Sequence, residues 1–292
     1  MGWPMAHNLA RNFPIKAYDP APKDTSSSNL EVVTSLDDLQ DCGVWITMLP
    51  NDAAVDETLS QLVSSPRLVM DCSTVDPQTS RKWNQRFDAF VDAPVSGGVK
   101  GATDGTLTFM VGGDAVEEAR PYLSSMGSRV IHCGGSGTGA AAKLCNNVAL
   151  AAQMAGICEA LRLGEALDLD PKVLTDVMNQ STAGCWSSRV NNPHPNVGEN
   201  TPATRDYNGG FACRLMLKDL ELALGAARRT NAAVPVADLT RKLYNAISEQ
   251  TDWGHKDFGV LLQFLESYSD DLLSDRVPNS TNEVDDDQRN IR

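Results

Sequence analysis

Six short apolar runs alternate with polar, helix-compatible stretches up to about Gly137, and there the alternation stops. The runs are residues 15–19, 44–49, 68–71, 90–93, 107–111 and 130–132, most of them rich in Val, Ile and aromatic side chains and bounded by turn residues. Parallel strands cannot be joined by a tight turn, so strands spaced by helix-length segments imply crossovers and a mainly parallel sheet. From Ala140 to about Leu167 an Ala- and Leu-rich segment holds no proline and two interior glycines, which predicts one long helix. Residues 171–179, 215–229 and 238–249 continue in helical period, and 191–210, rich in Asn, Pro and Gly, reads as a connector. The expected class is α/β. A mainly parallel sheet domain spans residues 1–138, and an all-α domain at 139–268 is carried on the long interdomain helix. A polar, acidic, disordered tail covers 269–292.

The formal charge of −13 argues against nucleic acid, whose phosphates reward basic faces. No run of about eighteen apolar residues marks a membrane span, so no membrane partner is expected. The seven cysteines are dispersed without a CxxC pair, which predicts free thiols in a reducing compartment. The four histidines stand away from cysteines at ligand spacing, so no metal site is expected.

Several segments can carry chemistry. Met1-Gly2-Trp3-Pro4-Met5-Ala6 looks like the first helix after a phosphate loop, with Gly2 as the last of the loop glycines. Asp19 ends the run at 15–19 in an acid able to accept ribose hydroxyls; a turn-forming Asp before Pro20 is the competing reading. The run at 44–49 breaks at Pro50, and strand ends of open α/β sheets are where ligands lie. Asp71-Cys72-Ser73-Thr74 ends the next run in hydroxyls, suited to a ribose or carboxamide or, alternatively, to capping the helix that follows. Ser96-Gly97-Gly98 offers backbone N–H groups and a hydroxyl that suit a small carboxylate, against the alternative of a flexible turn. In Gly137–Asn147, Lys143 and Asn147 share one helix face, one turn apart. A lysine kept from water there has a lowered pKa and can act as acid and base; a surface lysine with capping asparagines is the plainer reading. Lys218-Asp219, taken alone, reads as solvated charge.

Taken in order, these segments resemble the β-hydroxyacid dehydrogenase family from Met1 to about Leu265. The carrying motifs are Met1-Gly2 with Pro4-Met5-Ala6, then residues 46–50, 92–102, 105–113, 142–147 and 209–220, and Asp257-Phe258. Gly184-Cys185-Trp186-Ser187-Ser188, followed by Pro193, Pro195 and Val197, looks like the hydroxyisobutyrate branch of that family. The resemblance implies a Rossmann-like NAD-binding domain and an all-α domain used in forming a homo-oligomer, a dimer or tetramer. It implies Lys143 as the catalytic residue and Ser96, Gly97, Gly98 and Asn147 as substrate anchors. Gly2, Leu49, Pro50, Thr74 and Lys218 match cofactor contacts, and Asp19 stands where an acid would repel a 2′-phosphate, favouring NAD over NADP. The implied reaction is NAD-dependent oxidation of (S)-3-hydroxyisobutyrate to methylmalonate semialdehyde in valine catabolism, and the eukaryotic family is typically mitochondrial.

Two positions depart from the family pattern. The first strand and the first two loop glycines are missing, so the sequence starts inside the motif, as a chain truncated upstream would. Because that strand would stand centrally, unpaired strand edges flanking a gap are expected. The asparagine the family places four residues past the proline is Ala54 here. Two rival readings stay open: a sibling reductase acting on another small semialdehyde or glyoxylate, and a catalytically dead scaffold without its glycine loop.

Overall fold

The computed structural model describes residues 1–21, 28–63 and 65–267. The acidic tail expected at 269–292 lies outside the described residues. Helix α1 (Gly2–Ala10) leads into two parallel three-residue strands, β1 (Ile15–Ala17) and β2 (Leu30–Val32), which among the described residues pair only with each other. The main sheet begins with β3 (Val44–Thr47), β4 (Leu68–Asp71) and β5 (Phe90–Asp92), all parallel, with α2 (Asp52–Ser60) and α3 (Pro77–Asn84) as crossovers. It continues through β6 (Val95–Ser96), α4 (Gly98–Asp104), β7 (Leu107–Gly112), α5 (Val116–Met126) and β8 (Gly127–Gly134). Strand β7 runs antiparallel to β5 and β6 and parallel to β8, so the sheet is mixed at this end.

Successive residues of a strand point to opposite faces, and both faces are covered here. Leu68, Met70 and Val91 pack with Met5 and Leu9 of α1 and with Ala119 and Leu123 of α5. Val69 and Phe90 face the other way, onto Val55 and Leu59 of α2 and Trp83 of α3. The near-continuous hydrophobicity of β4, buried at all four positions, follows from this double cover. Among the described residues β3 is hydrogen-bonded to β4 alone and β1 to β2 alone, so each of these strands has one unpaired edge.

Beyond Gly137 the chain is helical. Helix α6 (Thr138–Ala166) is followed by α7 (Pro171–Gln180), α8 (Trp186–Arg189), α9 (Cys213–Thr230), α10 (Pro235–Gln250) and the short α11 (Leu261–Phe264). Ala151, Met154, Cys158 and Leu161 of α6 pack against Met216 and Leu220 of α9 and Leu243 and Ile247 of α10. By length and composition α6 is apolar enough to cross a membrane, with a mean hydropathy of 1.2 over its most apolar window. Its place in this core accounts for that apolarity.

Candidate functional site

The site is built where the strand ends meet the first turns of α6. Its N-terminus has no side-chain cap in its own sequence, since the preceding residue is Gly137. Its orphan amides are met from across the fold: Gly137 N donates to Asp92 Oδ1 at 2.7 Å and Ala140 N to Asp92 Oδ2 at 2.8 Å. Burial pushes the Asp92 carboxyl above its usual range, and the helix amides pull back against that shift.

One turn further, Lys143 is 8% exposed and makes no hydrogen bond or ion pair with a described residue. The plain reading of a surface lysine is therefore wrong. Desolvation lowers its pKa most; Asp219 opposes the shift and Lys218 adds to it. Asn147, 1% exposed, lies on the same face and donates from Nδ2 to Asp219 Oδ2 at 2.5 Å, while its Oδ1 accepts from Asn146. Asp219 is itself 2% exposed, which corrects the reading of Lys218-Asp219 as solvated charge. Lys218 Nζ lies 3.1 Å from Asp219 Oδ1, close enough for ion pairing but off a hydrogen-bond line, and donates to the Thr74 carbonyl at 2.7 Å. Asn147, Asp219, Lys218 and Thr74 thus form one connected group spanning α6, α9 and the end of β4, and Lys143 feels the charges of Asp219 and Lys218 without bonding to either.

The remaining expected residues lie on the sheet domain. Ser96 ends β6 and is half-buried; Gly97 and Gly98 follow it, exposed. Gly97 takes φ +132°, and a Cβ there would also crowd the Leu107 side chain at 3.2 Å, so glycine is required on both counts. Leu49 N donates to Ser73 Oγ at 2.8 Å, tying the β3 end to the β4 end beside Pro50. Neither Ser73 nor Thr74 caps α3; Asp76 does so, accepting from Gln78 N. Gly2 opens α1, whose N-terminus carries no side-chain cap. Asp19 lies two residues beyond the end of β1 and accepts from Ala21 N at 2.9 Å, so the turn role is present. Among the described residues no cluster of His, Cys, Asp and Glu suits a metal ion.

The polar groups present suit a dinucleotide: the helix N-terminus of α1, a carboxylate two residues past β1, and the segments that follow β3 and β4 at Leu49, Pro50 and Thr74. Sequence reasoning gave Asp92 no role of its own and read Asp219, within the Lys218-Asp219 pair, as solvated charge. Asp92 caps a helix 45 residues away in sequence, and Asp219 is identified only by its burial.

Residues 1–135 match the model described as the NAD binding domain of 6-phosphogluconate dehydrogenase. Residues 137–265 match that described as NAD-binding of NADP-dependent 3-hydroxyisobutyrate dehydrogenase. The chain is 40% identical to a probable mitochondrial 3-hydroxyisobutyrate dehydrogenase of Arabidopsis thaliana, over 93% of this chain and 86% of the relative. It is also 40% identical to an NAD-dependent L-serine dehydrogenase of Pseudomonas aeruginosa, over 91% of this chain and 95% of that one. The solved 3-hydroxyisobutyrate dehydrogenase of Mycobacterium tuberculosis with L-serine superposes with a TM-score of 0.84 at 36% identity, covering 91% of this chain and 96% of that chain.

Proposed function

The chain belongs to the 3-hydroxyisobutyrate dehydrogenase group of the β-hydroxyacid dehydrogenase family and is an NAD-dependent dehydrogenase; on that premise we propose that Lys143 is the acid/base in the NAD-dependent oxidation of (S)-3-hydroxyisobutyrate to methylmalonate semialdehyde. The observation that carries this reading is a lysine amine, 8% exposed, set without a partner among the described residues and one turn from a buried amide. The Ser96 hydroxyl and the amides of Gly97 and Gly98 hold the carboxylate. Asn147, held in orientation by Asp219, presents its amide to the substrate hydroxyl. Lys143, lowered by burial, takes the hydroxyl proton. The bound nicotinamide supplies the hydride acceptor. Gly2, Leu49, Pro50, Thr74 and Lys218 hold the dinucleotide, and Asp19 disfavours a 2′-phosphate.

A place in valine catabolism follows from this substrate, and a mitochondrial location rests on the names of the eukaryotic relatives. Exposed Leu163, Leu167, Val173 and Val177, on α6, α7 and the turn between them, support a homo-oligomer, which light scattering on the purified protein tests.

L-serine is a second reading, favoured by the Pseudomonas relative. It has the same separation of carboxylate and hydroxymethyl groups, with an amine for the methyl. Turnover of (S)-3-hydroxyisobutyrate, L-serine and glyoxylate with NAD and NADP separates these readings. The highest kcat/KM for hydroxyisobutyrate with NAD supports the first; a higher value for L-serine or glyoxylate overturns it.

A further inference from the structure

We propose that Asp92 is a positioning residue for catalysis: by capping α6 from the end of β5, it fixes where Lys143 and Asn147 stand relative to the Ser96-Gly97-Gly98 loop. This inference rests on the reading of Lys143 given above. A helix N-terminus leaves amides without partners and carries partial positive charge, so a carboxylate is the natural cap. That carboxylate comes from the sheet, so the cap is also a registration mark between two elements. Both Asp92 oxygens are used, on Gly137 N and Ala140 N, which constrains helix rotation as well as distance.

The surrounding backbone leaves no slack. A Cβ on Gly139 would run into the Met110 and Asp92 carbonyl oxygens and stand 2.8 Å from Gly112 N. A Cβ on Gly112 would stand 2.7 Å from both Asp92 Oδ1 and Gly139 N. Helix α6 is therefore pressed backbone to backbone against β5 and β7. Strand β7 is a common ruler, since Asp92 pairs with Gly112 while Val95 and Ser96 pair with Phe109 and Thr108. Ser96 lies four residues beyond Asp92 and Lys143 six beyond Gly137. One carboxylate thus references both the loop assigned to the substrate carboxylate and the lysine assigned to its hydroxyl. Misplacing reacting groups by about 1 Å costs on the order of a hundredfold in rate, so such a registration mark acts on chemistry before binding.

A purely structural cap also predicts lower stability on removal, so stability does not decide. Asp92→Asn turns one acceptor oxygen into an N–H facing a helix N–H. Asp92→Glu keeps charge and both acceptors but adds a methylene, so the helix stays capped and is displaced. The experiment measures kcat, both KM values and the deuterium isotope effect on kcat for both variants, well below their melting temperatures. Positioning predicts that kcat falls about tenfold or more in both, with both KM values within about threefold and a larger isotope effect. Recovery of parent kcat by Asp92→Glu overturns the proposal, as does a loss confined to KM. Where Asp92→Asn does not fold, Asp92→Glu alone decides. Lys143→Ala, measured in parallel, tests the underlying reading separately: full turnover there removes Lys143 as the base whatever Asp92 does.

Discussion

Asn147 donates from Nδ2 to Oδ2 of Asp219 at 2.5 Å, joining α6 to α9 through a pair of side chains that are both at most 2% exposed. A buried carboxylate placed there orients the amide and adds negative charge beside Lys143, raising the affinity of that lysine for its proton against the cost of burial.

Removing that charge while keeping the shape has a signed consequence. In Asp219→Asn, Lys143 loses the group that raises its pKa, so the acidic limb of the pH profile of kcat/KM moves to lower pH. The KM for the hydroxy acid rises about tenfold as Asn147 loses its orientation. A limb that stays in place, or moves to higher pH, contradicts the electrostatic role of Asp219.

Lys218 joins the two halves of the molecule by donating to the Thr74 carbonyl. Its assignment to the cofactor predicts that Lys218→Met raises the KM for NAD by about tenfold while kcat falls less, the mark of a lost binding contact. Initial rates over a range of NAD concentrations check this; a loss in kcat alone points to chemistry instead.

Asp71 makes a prediction about stability. Burial pushes its carboxyl to about 6 from 3.8, against hydrogen bonds from Ser73 and Thr47, and Oδ2 has no hydrogen-bond partner. The folded chain keeps this proton between pH 3.8 and about 6 while the unfolded chain has released it, so stability falls as pH rises through that window. Asp71→Asn keeps an acceptor for Thr47 and Ser73 without the charge. Across that window the parent loses up to about 3 kcal/mol relative to the variant in denaturant unfolding. Parallel stability curves for the two proteins contradict the shift.

The open edges of β1 and β3 predict a further gain. A fusion supplying a strand for those edges and a GxGxxG loop is predicted to raise the melting temperature and tighten NAD binding. Thermal unfolding and NADH fluorescence titration read both effects; no change in either means those edges are covered by other means.

The sequence made the architecture legible wherever periodicity was strong. The runs at 68–71 and 107–111 are buried on both faces, and the unbroken apolar stretch from Ala140 is the long helix. Strands β2 and β6, with three and two residues, are too short to establish a period, so neither was legible. The antiparallel pairing of β7 was hidden because β5 and β6 lie in one bent segment broken at Ala93-Pro94. Helix spacing offered Lys143 as an acid/base beside the plainer reading of a surface lysine, the resemblance favoured the first, and its burial supports that role. The cap by Asp92 and the burial of Asp219 were not legible because their partners are 45 and 72 residues away, where local spacing carries no signal.

The central claim is tested most directly by NADH formation from (S)-3-hydroxyisobutyrate in the parent and in Lys143→Ala, with NADH binding measured on both by fluorescence. The account predicts that Lys143→Ala binds NADH as the parent does yet loses turnover by at least about a hundredfold. Near-parental turnover in a folded, NADH-binding Lys143→Ala would contradict it.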